Sequence, residues 1–213
     1  MSEDEIKIHR GLNNVYFDRT KTTYINGKDG VLEYRGFNIH DLAEKSSFEE
    51  VSYLLLYGKL PTISELKSFN SSLKSSRNIP SEVIDIIKSL KDSHPMDVLR
   101  TAVSALSSFD EEAGDKSYDA TMRKGIRLTS QVPTIVMAHN SLRNGKDPVE
   151  PSKELSHASN FIYMLNGETP TESTSTLMDK DFIVHADHGS NASAFAARVC
   201  AGTQADLHSA ITT

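Results

Sequence analysis

Repeated runs of apolar residues at helical spacing are the feature that most constrains this chain. From residue 48 onward, apolar side chains recur three and four positions apart, and Gly, Pro or Asn-Gly separates one run from the next. This spacing places the apolar side chains on one face of an α-helix. The predicted helices lie near residues 48–57, 80–90, 95–106, 117–142, 153–165, 170–188 and 191–213, with a further one that begins at 62 or 64. Helices joined by short loops predict a mainly α fold.

Local signals refine three of these helices. Pro133 lies inside the run 117–142 and predicts a kink or break there, because proline removes a backbone donor. Asp92 or Ser93 is the predicted N-cap of the helix that begins at Pro95. Thr62 or Ser64 is the predicted N-cap of the helix that comes directly after the helix at 48–57. The last run reaches the end of the chain without a closing signal, which predicts a truncated chain.

Strand signals are confined to the start of the chain. Residues 22–25 and 31–34 are rich in β-prone side chains, and the segment between them, 26–30, has the composition of a turn. We therefore expect a small β-hairpin. The predicted division is an N-terminal arm with this hairpin at 1–36, followed by a helical domain at 37–213.

Charge and composition exclude several classes of protein. The net charge is −6 and the basic residues are scattered, whereas nucleic-acid binders usually carry a basic face. The densest basic group, Arg123, Lys124 and Arg127, is interpreted as a solvated helix face. No run approaches the ~20 apolar residues that span a bilayer. The acidic N-terminus and single Cys200 predict a cytoplasmic protein without a signal peptide, bound to neither membrane nor nucleic acid.

The segment HADHGSN at 185–191 is the strongest candidate for chemistry. If it is helical, His185 and His188 share roughly one helix face, with Asp187 between them. The pattern alone leaves three roles open, namely ligand contact, metal binding or a structural histidine. A metal site would need further ligands, for which Asp206 and His208 are available. Cys200 is interpreted as a small core residue and not as a nucleophile.

Several segments, taken together, resemble the citrate synthase family. They include GVLEYRG at 30–36, HPMDVLR at 94–100 and VPTI at 132–135. The full set, in order, is 11–15, 30–43, 48–62, 94–100, 132–135, 155–165 and 185–193. Their order and spacing are similar to those of the short prokaryotic citrate and 2-methylcitrate synthases. The resemblance covers the chain from Gly11 and implies an N-terminal portion of such an enzyme.

The resemblance implies a helical large domain, truncated here before the small domain, and a two-fold homodimer that uses helices near 132–142 and 182–199. In the family, the histidine at the position of His188 donates a hydrogen bond to oxaloacetate. Asn191 and His185 are weaker candidates for further substrate contacts, and His185 is expected mainly to support the local structure. Gly189 replaces the acidic residue that usually follows the second histidine.

The reaction implied is the condensation of acetyl-CoA or propionyl-CoA with oxaloacetate, followed by hydrolysis of the thioester. It needs no metal or prosthetic group, and the CoA thioester is a substrate. No catalytic residue is expected within this chain, because the family's Gly-Pro-Leu-His-Gly segment and aspartate base would follow Thr213. The chain alone is therefore predicted to be inactive. Two alternatives stay open: a short non-enzymatic scaffold, or a helical metal-dependent hydrolase that uses His185, Asp187 and His188.

Overall fold

The computed structural model describes residues 19–189 and 191–213. This part of the chain forms three short strands and ten α-helices, so the predicted mainly α fold is confirmed. The strands are β1 (Thr23–Asn26), β2 (Val31–Tyr34) and β3 (Phe37–Asn38). The helices are α1 (Ile39–Lys45), α2 (Phe48–Tyr57), α3 (Ile63–Ser75), α4 (Ser81–Ser89), α5 (Pro95–Leu106), α6 (Tyr118–Arg143), α7 (His157–Asn166), α8 (Glu172–His185), α9 (Ala192–Gly202) and α10 (Leu207–Ile211). The N-terminal arm and segment 11–15 lie outside the described residues.

The predicted hairpin is present and carries a third strand. β1 and β2 pair antiparallel, with Thr23 opposite Tyr34. β3 then pairs antiparallel with β2, so the strand order is β1-β2-β3. Gly36, at φ +86°, permits the tight turn between β2 and β3. The sheet therefore extends past residue 36, where the sequence placed the division. The sequence did not predict β3, because a strand of two residues shows no periodicity. The division itself stays a prediction.

Helix caps follow the local sequence in most places. Thr62, one of the two predicted caps, is the N-cap of α3. It forms a capping box with Glu65, and the Thr62 backbone N–H donates to Glu65 Oε2 at 2.8 Å. The predicted cap of α5 was wrong. His94 is the N-cap, and its Nδ1 accepts the backbone N–H of Met96 at 3.2 Å. Because Pro95 occupies the first helical position, the residue immediately before it becomes the cap.

Pro133 does not break α6, contrary to one of the two predicted outcomes. The helix runs without interruption from Tyr118 to Arg143. Packing explains its continuity, because buried residues precede and follow the proline. Ile135 and Ala138 belong to the largest apolar cluster, and the Thr134 hydroxyl donates to the Arg77 carbonyl at 2.8 Å. These contacts outweigh the loss of one backbone hydrogen bond.

Two apolar clusters build most of the core. The larger one lies between α4, α5 and α6 and includes Val83, Ile87 and Val98, each at most 1% exposed. The second joins the sheet to α1, α2 and α8 and includes Tyr34 and Ile183, both fully buried. This second cluster fixes the C-terminal end of α8 against the sheet.

The C-terminal segment forms two helices where one was predicted. α9 ends at Gly202, Gln204 adopts a left-handed conformation at φ +64°, and Asp206 then caps α10 by accepting the Ser209 N–H at 3.0 Å. The apolar spacing continues through this turn, so periodicity alone did not reveal it. Each residue of α9 is at least partly exposed, and Val199 is 55% exposed.

Candidate functional site

The loop that follows α8 carries the predicted site histidine. α8 ends at His185, three residues before its predicted end near His188. The two histidines therefore do not share a helix face, which corrects the helical interpretation of this segment. His188 is exposed, and it forms no hydrogen bond or ion pair with the other described residues. Its imidazole is thus available to a ligand.

The N-terminal sheet holds this loop through two hydroxyl groups. The Tyr34 hydroxyl donates to the Val184 carbonyl and accepts the backbone N–H of Asp187, both at 3.2 Å. The Thr23 hydroxyl donates to the Asp187 carboxylate. Burial raises the pKa of Tyr34, so this phenol stays protonated and can donate. The residue directly before His188 is therefore held at its amide and at its side chain.

Gly189 lies on the other side of His188 and has a left-handed backbone. Its φ is +64°, a region that a residue with a side chain adopts only with strain. A Cβ atom there would lie 3.7 Å from Ile25 Cδ1, which is ordinary contact. Conformation, and not space, therefore favours glycine.

His185 and Asn191, the two weaker candidates, have local structural contacts. The His185 Nδ1 lies 2.8 Å from the Asp181 carbonyl of its own helix, and the ring is largely exposed. Asn191 caps α9, and its Oδ1 accepts the Ala194 N–H at 2.7 Å. Their predicted contacts with substrate stay predictions. Ser190, between them, lies outside the described residues.

The residues considered for a metal site do not gather at one place. His208 is 2% exposed, and its Nε2 lies 3.6 Å from Asp110 Oδ2, whereas His188 is exposed. The Asp206 carboxylate is engaged in capping α10. Within residues 19–189 and 191–213, no group of three or more His, Cys, Asp or Glu side chains is arranged to hold a metal ion.

Sequence reasoning missed a group of buried ionisable residues where α2, α7 and α8 meet. Glu49 Oε1 accepts the His157 N–H at 2.8 Å, and both residues are buried. Asp179 accepts the Phe48 N–H. Burial raises the pKa of Asp179 to about 6 and lowers that of His157 to about 4. Asp179 of α8 accepts the first N–H of α2, and Glu49 of α2 accepts the first N–H of α7. Each carboxylate thus caps a different helix from its own, which the residue spacing within one segment does not reveal.

The basic group on α6 was misinterpreted as a solvated face. Lys124 is 1% exposed, and its ammonium group donates to the Glu112 carbonyl at 3.0 Å and to the Ala113 carbonyl at 3.3 Å. It also donates to the Asp115 carbonyl. Lys124 therefore supplies hydrogen bonds from inside the protein to the backbone carbonyls of the loop before α6. The sequence of α6 alone does not predict this role, because Lys124 stands there among other charged residues. The role depends on how the loop before α6 folds back against the helix.

Arg127 ties the same loop to the helix by paired charges. Its guanidinium donates to both Asp110 carboxylate oxygens, at 2.7 and 2.8 Å, and to Glu112 Oε2 at 2.8 Å. Hydrogen bonds from Arg123 and Arg127 lower the pKa of Glu112 to about 2. All these groups are engaged within the protein, so we interpret this cluster as structural.

Comparison with protein families identifies the fold. The family model described as "Citrate synthase, C-terminal domain" matches residues 11–213. Citrate synthase from Haloferax volcanii is 42% identical over 97% of this chain and 56% of its own length. The enzyme from Deinococcus radiodurans is 44% identical over 95% and 54%. A 2-methylcitrate synthase from Mycobacterium tuberculosis is 38% identical over 96% and 52%. The chain spans about half the length of these relatives.

Solved structures agree. Citrate synthase from Pyrobaculum aerophilum superposes with a TM-score of 0.91 at 37% identity, covering 96% of this chain and 53% of that one. The Thermoplasma acidophilum enzyme, in a ternary complex with carboxymethyl coenzyme A and oxaloacetate, gives 0.90 at 28% identity over 97% and 54%. The predicted fold and resemblance are thereby confirmed. The chain belongs to the citrate synthase family.

Proposed function

We propose that this chain, together with the further half that its relatives possess, condenses acetyl-CoA or propionyl-CoA with oxaloacetate to give citrate or 2-methylcitrate. Its own contribution is His188, which donates a hydrogen bond to oxaloacetate. A donor fixed in the site holds the substrate in place for attack by the enol of the thioester. The supporting observation is an exposed imidazole that has no hydrogen-bond or ionic partner within residues 19–189 and 191–213. It lies on a loop that hydrogen bonds hold from both strands of the hairpin.

The remaining chemistry requires groups that we expect beyond Thr213. An aspartate would remove the methyl proton of the thioester while one histidine hydrogen-bonds the thioester oxygen. A second histidine would polarise the ketone of oxaloacetate. The chain of 213 residues is therefore expected to be inactive by itself. The reaction uses CoA thioester as substrate and requires no metal or prosthetic group. The complex of the Thermoplasma relative with carboxymethyl coenzyme A and oxaloacetate supports this choice of substrates.

A chimera tests the proposal. This chain would be joined to the portion of the Deinococcus radiodurans relative that it does not cover, and release of CoA would be followed with oxaloacetate and either thioester. We expect turnover by the chimera and none by the 213-residue chain. His188→Ala should lower turnover at least ~100-fold while the fold is kept, as for loss of a group that holds the substrate in place. His185→Ala, at the last residue of α8, is the matched control.

Two results would contradict the proposal. Citrate formation by the 213-residue chain would show that the catalytic groups lie within it. Equal, small effects of His188→Ala and His185→Ala on the chimera would show that the site lies elsewhere. The reading frame beyond codon 213 separates the enzyme from the scaffold alternative, because an in-frame Gly-Pro-Leu-His-Gly supports the enzyme and a stop codon supports the scaffold.

The assembly and location belong to the same proposal. A two-fold homodimer would use α6 and α9, and the exposed side chains of α9 are consistent with a covering partner. Sedimentation of the chimera should give twice the mass of one chain. None of the described helices combines the length and the apolar character needed to cross a bilayer. We place the protein in the cytoplasm, without a membrane or nucleic-acid partner, on its charge and single cysteine.

A further inference from the structure

The sheet to which the His188 loop is attached is itself held rigidly. Tyr34 is fully buried and shares an apolar cluster with Val51, Leu54 and Ile183. The next residue, Arg35, has a left-handed backbone at φ +53°, and its guanidinium donates to the Leu55 carbonyl at 2.9 Å. Such a conformation persists only where surrounding contacts enforce it. The end of β2 is therefore a fixed point of the fold.

Two side chains on this fixed point reach the loop, one from each strand of a directly opposed pair. Thr23 on β1 lies opposite Tyr34 on β2. The Tyr34 hydroxyl contacts the loop backbone at Val184 and Asp187, and the Thr23 hydroxyl contacts the Asp187 side chain. Three hydrogen bonds thus converge on Asp187 and the last turn of α8.

The position of Asp187 sets the direction in which His188 leaves the loop. A peptide bond is planar, so fixing the amide and the side chain of Asp187 leaves few backbone torsions free before the His188 side chain. On the other side, Gly189 lies near β1, because a Cβ added at Gly189 would be 3.7 Å from Ile25 Cδ1 and 4.0 Å from Thr23 Cβ. Both neighbours of His188 therefore rest on the same strand pair, while the imidazole itself is held by no described group.

We infer that Tyr34 and Thr23 are positioning residues for His188, which they orient through Asp187 without contacting the substrate. The inference rests on the proposed role of His188 and assigns its orientation to a sheet far away in the sequence. A fixed imidazole binds oxaloacetate without first losing torsional freedom, so removing either hydroxyl should weaken binding. The core packing of the tyrosine ring is a separate contribution and should survive removal of the hydroxyl alone.

Nuclear magnetic resonance on the chimera with the Deinococcus radiodurans portion tests this inference. Two signals are followed: hydrogen exchange at the Asp187 amide, and the shift of the His188 ring during titration with oxaloacetate. We expect Tyr34→Phe to speed exchange at Asp187 about 5-fold and to weaken oxaloacetate binding about 3- to 10-fold, as for the loss of a hydrogen bond. Thr23→Val should weaken binding similarly, and Thr23→Ser, which keeps the hydroxyl, should restore it.

Tyr24→Phe provides the matched control, because Tyr24 lies on β1 and is 56% exposed. It should change neither signal. The inference is overturned if Tyr34→Phe leaves exchange at Asp187 unchanged, or if exchange rises evenly across the core, which would indicate a purely structural role. If oxaloacetate does not move the His188 signals of the parent chimera, the proposed function fails. Exchange at Asp187 then decides the positioning role by itself.

Discussion

Both carboxylate oxygens of Asp179 accept the backbone N–H of Phe48, at 3.2 and 3.3 Å. This contact attaches the middle of α8 to the first residue of α2. Burial raises the pKa of Asp179 to about 6 from an ordinary 3.8, since the charged form loses solvation. The folded state thus binds this proton more tightly than the unfolded chain does. The resulting stabilisation is complete below pH 3.8 and is lost as the pH rises through 6.

Asp179→Asn should therefore stabilise the protein at pH 8. Asparagine keeps an oxygen acceptor for the Phe48 N–H and carries no charge to bury. We expect a gain of about 1 kcal/mol in the free energy of unfolding, a value that allows for the partial exposure of the site. The gain should disappear near pH 4. Urea titrations across this range measure it, and Asp85→Asn, an exposed aspartate of α4, should show no such trend. A variant less stable than the parent at pH 8 would contradict the prediction.

His157 should produce the opposite dependence on pH. Its pKa is lowered to about 4 from 6.5, mainly by burial. The unfolded chain therefore takes up the proton first, and stability falls as the pH drops from 6.5 to 4. We expect this group to account for a loss of about 3 kcal/mol over that range. Between pH 4 and 6 the effect of Asp179 partly offsets it.

His157→Phe should abolish that loss. A phenyl ring can keep the aromatic contacts with Phe48 and Phe182, whose ring centres lie 4.8 and 5.5 Å from the imidazole. Urea unfolding of parent and variant should diverge progressively below pH 6.5. His40→Phe, at an exposed position on α1, should follow the parent curve. Parallel curves for His157→Phe and the parent would disprove the assignment.

Lys124→Met should cost about 3 kcal/mol of stability. The substitution keeps the apolar length of the side chain and removes the donor for three loop carbonyls, those of Glu112, Ala113 and Asp115. Buried carbonyls left without partners carry a desolvation cost. Lys116→Met, at an exposed site in the same loop, should stay within about 0.5 kcal/mol of the parent. Chemical denaturation distinguishes the two, and equal effects would mean that water reaches the carbonyls.

Ile87→Ala should destabilise the larger apolar cluster by about 2–5 kcal/mol, because it removes a fully buried side chain and leaves a cavity. Ile63→Ala makes the same chemical change at a position that is 91% exposed. It should change stability by no more than about 0.5 kcal/mol. Thermal unfolding of both variants checks the comparison. A small effect at Ile87 would show that the cluster collapses to fill the space.

The sequence predicted most elements because their signals are local. The capping box at Thr62 and the turn at residues 26–30 depend on neighbours a few positions away. Its failures have tertiary causes. Pro133 stays within a continuous helix because buried contacts hold both sides of it. Periodicity continues across Gln204, so the boundary between α9 and α10 depended on the overlooked cap at Asp206.

The candidate site could be predicted only in part. The unusual spacing of His185 and His188 pointed to the segment that we propose as the site, and its order among other motifs pointed to the family, which is confirmed. The connection from Asp187 to Tyr34 and Thr23 could not be predicted, because it joins parts of the chain that share no local pattern. The same holds for the cap that Asp179 supplies to α2.

The contact between Tyr34 and Asp187 also has a consequence for synthesis of the protein. Their positions differ by 153 residues. At ~5–20 residues per second, a ribosome finishes the hairpin roughly 8 to 30 seconds before the partner segment is made. During that interval Tyr34 lacks its contacts with α8, and only the early helices α1 and α2 can cover its ring. The loop that carries His188 can therefore take its final position only after these helices have formed.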